Sequence, residues 1–290
     1  MAEHRGCLYV VATPIGHPDD ITLRAVSVLG QVDLVAAEDT RLTARLLSRL
    51  GLSAKLISYH EHNEQTRTPR LLAQLESGQQ IALVSDAGTP LVSDPGYRLI
   101  REAVTRGIRV VPVPGVSAAI AALSVSGLPT DSFVFAGFLP KKKRRRAKAI
   151  EDLAGVNRTV IVYESPQRIA ALVAELSRLC GDREAMLARE MTKRHEEFLY
   201  GTLASIGRRL AQRPAVKGEC TLVVAGGTDP EPVDDAVVAD EIHRRLADGQ
   251  GPGRIARALA DSHGLSRNRV YAAVLDAKRQ TAATDGDDAG

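Results

Sequence analysis

Five short apolar runs, at residues 8–12, 32–37, 55–59, 81–85 and 109–113, recur through the first third of the chain with segments of helical periodicity between them. Runs that are apolar along nearly their whole length, rather than at every second residue, belong to strands covered on both faces. The segments between them carry helix signals. Residues 40–50 begin with Thr40 as a capping residue and stop at Gly51, residues 68–76 stop before Gly78, and residues 97–106 stop before Gly107. Strands alternating with helices predict a parallel sheet of the doubly wound α/β class.

The texture changes after Gly115. An Ala-rich helix is expected over 117–126, ending at Gly127, followed by strands at 132–136, 159–163, 185–188 and 220–225 and helices at 145–153 and 167–179. These strands are fewer and more mixed with charge, which favours a mixed sheet. The acidic, Pro-containing stretch from Thr228 reads as a linker. Beyond it lie helical patterns at 237–247, 254–262 and 266–278. In the last two, Ile255 and Leu259 face Val270 and Val274, Ser266 stands as N-cap, and Arg267, Asn268 and Arg269 fall on the first turn of the second helix, the sequence shape of a helix-turn-helix. The expected division is therefore an N-terminal α/β domain over 1–115, a second over 116–227, a linker over 228–236, a helix-turn-helix-like unit over 237–280 and an unstructured tail over 281–290.

With 44% apolar and 25% charged residues the 290-residue chain has the composition of a globular protein, and with aromatics at only 3% its core must be built from aliphatic side chains. Its three cysteines, Cys7, Cys180 and Cys220, match neither a disulfide framework nor a metal-ligand spacing, so reduced cytoplasm is the expected compartment. No signal-peptide pattern or membrane-length apolar run is legible, and a protein neither exported nor inserted is expected. The net charge of +3 says little, but its distribution says more. Lys141, Lys142, Lys143, Arg144, Arg145 and Arg146 form an unbroken basic block, either a solvated helix start or a contact for a phosphate backbone.

The apolar run at 81–85 empties into Ser85-Asp86-Ala87-Gly88-Thr89-Pro90-Leu91-Val92-Ser93-Asp94-Pro95-Gly96. Those twelve residues exceed the roughly two to six usual for a strand-to-helix connection. Gly88 lets backbone approach a ligand, Pro90 and Pro95 stiffen the loop, and its small side chains leave room for a flat ring.

Further segments join this loop in one order: Val11-Ala12-Thr13-Pro14-Ile15-Gly16, Ala37-Glu38-Asp39-Thr40-Arg41, Ser58-Tyr59-His60-Glu61-His62-Asn63-Glu64, Pro114-Gly115-Val116-Ser117-Ala118, Tyr163-Glu164-Ser165-Pro166, Arg189-Glu190-Met191-Thr192-Lys193 and Lys217-Gly218-Glu219. In order and spacing the chain resembles the tetrapyrrole-methylase-like (class III) S-adenosylmethionine methyltransferases from about residue 7 to 226. Within them it is similar to the branch that methylates the 2′-oxygen of a cytidine in 16S rRNA, which the helical tail also fits. It departs from the tetrapyrrole branch in its first loop, where Thr13-Pro14-Ile15-Gly16-His17-Pro18 has a single Gly instead of a Gly-rich turn. It departs from the rRNA branch at Gln167, where His is common, and at Met191, where Leu is favoured.

The resemblance implies two α/β domains with S-adenosylmethionine folded between them, a homodimer, and the 30S subunit or its 16S rRNA as substrate. Carried over residue by residue, it places the cofactor at Pro14, Asp86, Ala87, Gly88, Leu91, Ser117, Ala118, Tyr163, Glu164 and Ala225. Attack by a ribose hydroxyl requires a proton acceptor. The candidates are Glu38, Asp39, His60, Glu61 and Lys193, each with an alternative as helix cap, turn residue or phosphate contact. Candidate RNA contacts are Arg41, Arg168, Arg189, Lys217, the 141–146 block, and Arg267 and Arg269 of the tail. Two other readings remain open at this point: a methyltransferase for a small tetrapyrrole, and a non-catalytic nucleic-acid binder.

Overall fold

The structure is a computed structural model that describes residues 6–227, 235–263 and 267–287. These fall into two compact units, one ending at Gly227 and the other beginning at Thr228.

The first unit contains two α/β lobes. In the N-terminal lobe β1 (Cys7–Val11), α1 (Leu23–Leu29), β2 (Leu34–Ala37), α2 (Thr40–Arg49), β3 (Leu56–Ser58), α3 (Glu64–Glu76), β4 (Ile81–Val84), α4 (Tyr97–Thr105) and β5 (Arg109–Val113) follow one another. The strands line up as β3-β2-β4-β1-β5, every pair parallel. Period-two alternation divides the core between the sheet's faces. Leu8, Ile81 and Leu83 pack with Leu71, Leu72 and Leu75 of α3 and Leu99 of α4. Val11, Val35, Ala82 and Val84 pack with Ala25 and Leu29 of α1 and Leu47 of α2. The doubly wound class expected from the apolar runs is thus present, and all loops at the carboxyl ends of the parallel strands open on one edge.

The second lobe runs α5 (Ala118–Ser124), β6 (Phe133–Phe138), α6 (Lys143–Ala154), β7 (Thr159–Glu164), α7 (Ile169–Cys180), β8 (Glu184–Arg189), β9 (Glu197–Thr202), α8 (Leu203–Ala211) and β10 (Cys220–Val224). Its order is β6-β7-β10-β8-β9, with only β6 and β7 parallel, which is the mixed sheet expected. One face is covered by α6, α7 and α8 through Ile150, Leu172, Val173, Ile206 and Leu210. The other carries α5, and there Ala119, Ala122 and Leu123 share a cluster with Ile15 and Ala87 of the first lobe. That cluster locks the two lobes together beside the strand-end loops.

Local differences from the sequence reading have local causes. The second strand begins at Leu34 rather than residue 32 because the Val32 amide closes α1 by donating to the Val28 carbonyl (3.1 Å). Asp39, not Thr40, caps α2, its Oδ1 accepting from the Arg41 amide at 2.8 Å. α3 starts at Glu64, before Thr68, and α1, α8 and β9 are additional elements.

The second unit consists of α9 (Asp235–Ala247), α10 (Pro252–His263) and α11 (Arg267–Asp287). Val238 and Ile242 join Ile255, Leu259, Val270 and Val274 in one core, the facing set expected from the spacing. The proposed linker lies largely outside the described residues, as do Ser266 and the last residues of the tail. α11 continues through Asp287, past residue 281 where the sequence suggests an unstructured tail.

Candidate active-site cleft

Three loops of the N-terminal lobe are tied into one wall. Thr13 exchanges backbone hydrogen bonds with Gly88, its amide donating at 2.9 Å and its carbonyl accepting at 3.0 Å. Its hydroxyl donates to the Ser85 carbonyl (3.2 Å), and the Thr89 hydroxyl donates to the Val116 carbonyl (3.0 Å). Gly88 has φ +80°, and a Cβ there would stand 3.3 Å from Ile15 Cγ2. Leu91 and Ser93, neither of them Gly, both have φ of 72°. Such residues cost on the order of 1–3 kcal/mol each and persist where the surroundings dictate them. Here the Leu91 side chain lies in the core against Gly96, while Ser93 abuts Gly137, where β6 bulges at φ +60°.

The opposite wall is built where β8 ends and β10 begins. Glu190 Oε1 accepts from the Glu219 amide and from Lys193 Nζ, each at 3.0 Å, and Lys193 Nζ pairs with Glu219 Oε2 at 3.0 Å. Arg189 donates to the Lys217 carbonyl (3.1 Å) and to Glu197 (2.9 Å). The segments 189–193 and 217–219, separate motifs in the sequence, are thus one structure. It reaches the first lobe through the His17 amide, which donates to the Thr192 hydroxyl at 2.9 Å. A Cβ on Gly16 would fall 2.5 Å from Lys193 Cγ, so this approach requires glycine.

Between the walls lies a cavity of about 330 Å3. Ile15, Ala87, Gly88, Ala118, Phe138, Tyr163, Met191 and Cys220 supply its largely apolar lining; Ser93, Asp94, Glu164, Ser165, Glu219 and Thr221 supply polar groups. Tyr163 is held edge-on to Phe135 and Phe138, and its phenol oxygen accepts from the Ala119 amide at 2.9 Å. That bond satisfies an amide at the start of α5, since Ser117 occupies the N-cap position without a side-chain cap bond.

Of the ten cofactor positions read from the sequence, Ala87, Gly88, Ala118, Tyr163 and Glu164 line the cavity. Glu164 also has partners within its own lobe. It is buried, and its carboxylate is consumed by Arg146 (2.9 Å), by Arg168 and by the Ser165 amide (2.7 Å). Pro14, Asp86, Leu91, Ser117 and Ala225 are not in the lining: Leu91 packs into the first-lobe core, Ala225 joins the inter-lobe cluster, and Asp86 Oδ1 accepts from the Asp39 amide at 2.8 Å. Ser93, Asp94, Phe138, Met191, Cys220 and Thr221 line it without having been singled out as cofactor contacts.

The candidate bases also sort on geometry. Asp39 forms a two-pronged pair with Arg41 (2.7 and 3.1 Å), which draws its carboxyl down to about 2 and makes it a poor proton acceptor. For Lys193, burial pulls the ammonium down but the pairs with Glu190 and Glu219 outweigh it, so the amine is held protonated and is no base. His60 is fixed by Asn63. The Asn63 Oδ1 accepts from the His60 backbone amide (2.9 Å) and its amide nitrogen faces the Ser58 carbonyl (3.2 Å), so that nitrogen donates to His60 Nε2 at 3.0 Å. His60 Nδ1 is a buried atom without a hydrogen-bond partner among the described residues, and the ring is not in the cavity lining. Glu61 is exposed in the turn. Glu38 is pushed up by burial, and its Oε2 lies 3.4 Å from the Asp86 amide, outside the cavity lining.

The basic residues divide too. Lys141, Lys142, Lys143, Arg144 and Arg145 are exposed, and Arg144, Arg145 and Lys148 edge a shallow groove on α6. Arg146 is not part of that surface. It is 8% exposed and bridges Glu164 and Glu175 (2.7 Å), because the step of one residue from Arg145 rotates the side chain by about 100° around the helix, from solvent to the core side. Arg168 and Arg189 are likewise engaged in ion pairs within the lobe, whereas Lys217 and Arg269 are exposed. Arg267 opens α11. A second groove, not read from the sequence, lies along α3 and α4 and is lined by charges of both signs: Arg98 pairs with Glu64 and Arg106 with Glu76 and Glu102, while Arg101 is exposed beside Tyr97.

Two fused α/β lobes, one wholly parallel and one mixed, with the strand-end loops of both enclosing a cavity, define the fold of the class III methyltransferases. The solved structure of a uroporphyrin-III C-methyl transferase from Thermus thermophilus complexed with S-adenyl homocysteine shares it, with a TM-score of 0.54 and 20% identity over 76% of this chain and 97% of that one. A diphthine synthase shares it at 0.58 and 15% identity over 76% and 90% of the two chains. The chain belongs to the tetrapyrrole (corrin/porphyrin) methylase family, whose model matches residues 7–207. Among its curated relatives are proteins named ribosomal RNA small subunit methyltransferase I. That of Micromonospora olivasterospora is 46% identical over 92% of this chain and 85% of its own, and that of Mesorhizobium japonicum is 45% identical over 96% and 95%.

Proposed function

We propose that this protein uses S-adenosylmethionine to methylate the 2′-oxygen of a cytidine in 16S rRNA, acting on the small ribosomal subunit in the cytoplasm. The observation that carries the reading is the 45% identity to an rRNA methyltransferase I that extends over 96% of the chain, well beyond the family match that ends at residue 207. The cavity suits the cofactor. Its volume is within the usual range for a small-molecule site, and its walls offer apolar surface to a purine. When bound, the cofactor supplies a methyl group already activated by the sulfonium charge.

The residues of the chain do the positioning. Gly88, Ala87 and Ile15 form one side of the bed and Ala118, Met191 and Tyr163 the other, enclosing the reacting centre and limiting water. Tyr163, tied to Ala119, keeps α5 at a fixed distance from β7. Lys141 to Arg145, Lys217 and Arg101 offer exposed charge for phosphates, with the exposed Tyr97 available for stacking on a base. The proposal of RNA contact extends to Arg267 and Arg269 at the start of α11. A homodimer is proposed on the family resemblance, and light scattering of the purified protein tests it.

The decisive experiment offers S-adenosylmethionine together with 30S particles, with a porphyrinoid, or with neither, and follows release of S-adenosylhomocysteine. Release only with 30S particles is expected, together with one 2′-O-methylated cytidine resistant to alkaline cleavage. RNA with a 2′-deoxy target should bind and accept no methyl group. Equal methylation of the deoxy substrate would put the methyl on the base and overturn the ribose assignment.

A further inference from the structure

Transfer to a ribose hydroxyl leaves a proton to be placed, and none of the residues marked for that task by the sequence is both free and in the cavity. Among the cavity's carboxylates, Glu164 is spent on Arg146 and Arg168, and Glu219 is paired with Lys193. Asp94 remains. It lines the cavity, and no ion-pair partner faces it among the described residues. Three carboxylates act on it from neighbouring segments: Glu38 from the end of β2, Asp86 from the loop after β4 and Glu219 from the approach to β10. Tyr163 on β7 is a further titratable neighbour from the second lobe, and the Ser85 hydroxyl is its hydrogen-bonding neighbour.

The backbone around Asp94 is specified rather than loose. Ser93 immediately before it and Leu91 hold left-handed conformations, Pro95 follows, and Gly96 at φ +134° admits the Leu83 and Leu91 side chains within about 3 Å of where a Cβ would be. A strained, multiply anchored segment that delivers one unpaired carboxylate to a cavity is the arrangement expected of a reacting group.

We propose that Asp94 is the catalytic base, accepting the proton of the attacking hydroxyl as the methyl group is transferred. The inference rests on the 2′-O reading given above. In the step, the bond between the methyl carbon and O2′ forms as the carbon–sulfur bond breaks, and that electron pair stays on sulfur as a neutral thioether. The O2′ proton passes to the Asp94 carboxylate and then to solvent, so positive sulfonium and negative carboxylate are both discharged. Burial and the three neighbouring carboxylates push Asp94 up to about 6, close enough to neutrality for it to be mostly ionised at pH 7 and still a competent acceptor.

The test compares wild type with Asp94→Asn, a side chain that reproduces the protonated acid and so preserves the fold. On 30S particles the variant should lose on the order of 10²–10⁴-fold in kcat. Affinities for S-adenosylmethionine and for 30S particles, measured separately by calorimetry and filter binding, should stay within about twofold. The wild-type kcat should fall on the acid side near pH 6 and the residual variant rate should not. Without any substrate, wild-type stability should decline as pH rises from about 4 to 6, because the folded state holds the proton more tightly than the unfolded one, and the variant should lack that part of the decline. A variant kcat within tenfold of wild type, a loss confined to cofactor affinity, or an unchanged pH dependence of stability would each overturn the proposal. Failure of wild type itself to methylate O2′ would instead overturn the reading beneath it.

Discussion

Arg146 shows how neighbouring residues of one charged block take different roles. Arg146→Ala removes the cation that bridges Glu164 and Glu175 and leaves the buried Glu164 with Arg168 and the Ser165 amide, a cost of about 1.5–3 kcal/mol for a lost hydrogen bond to a charged group. The urea midpoint should drop accordingly, while Arg145→Ala at an exposed site should leave it within about 0.5 kcal/mol and weaken only RNA binding. Equal midpoints for the two variants would refute the division. Gly218 gives a second test. It has φ +86°, and a Cβ would lie 2.2 Å from Glu190 Cγ. Gly218→Ala should therefore cost about 1–3 kcal/mol in backbone strain alone and displace the carboxylate that holds Lys193, lowering stability and turnover together. Sequence could mark Gly88 as a close-approach residue because its loop had a motif around it. It could not show that Glu164 is consumed by arginines or that Asp94 is left unpaired, since those outcomes depend on which long side chains converge across the fold.

The elements that were legible are those whose period and punctuation agree. All five parallel strands of the first lobe follow from apolar runs bounded by glycine-stopped helices, and the mixed second sheet follows from its charge content. β9 escaped because its alternation is carried by Phe198 and Tyr200 on one side and Leu199 on the other, with charge before it and Gly201 within it. What fixes β9 is tertiary: Glu197 accepts from Arg189 of β8 and pairs with Arg213 beyond α8. These arginines, led by the Arg213 hydrogen bond, draw the Glu197 carboxyl from 4.5 down to about 2. A depressed folded-state value stabilises the fold above the unfolded value, and that contribution is lost as pH falls from about 4.5 through 2. Thermal melts of Glu197→Gln should be lower than wild type at pH 7 and converge with it toward pH 2. Parallel melting curves across that window would remove the β8–β9 ion pairs as an acid-sensitive element.

At the scale of the whole molecule, the cavity and the core clusters around it belong to the unit that ends at Gly227, whereas α9, α10 and α11 possess a core of their own around Ile255, Leu259 and Val274. A protein with two such units can separate catalysis from substrate capture. Removing residues 228–290 should leave a folded first unit with S-adenosylmethionine affinity within about twofold of wild type, because no cavity-lining residue is lost. If the helical unit contacts RNA through its exposed Arg254, Arg257 and Arg269, 30S binding should weaken and become less dependent on salt, because each lost phosphate contact reduces the counterions released, by about 0.7–0.9 in the log–log slope. Turnover at saturating 30S particles should then approach wild type while the half-saturating concentration rises. An unchanged salt slope would assign α9, α10 and α11 to packing rather than recognition, and loss of cofactor binding would mean that the first unit depends on them for its fold.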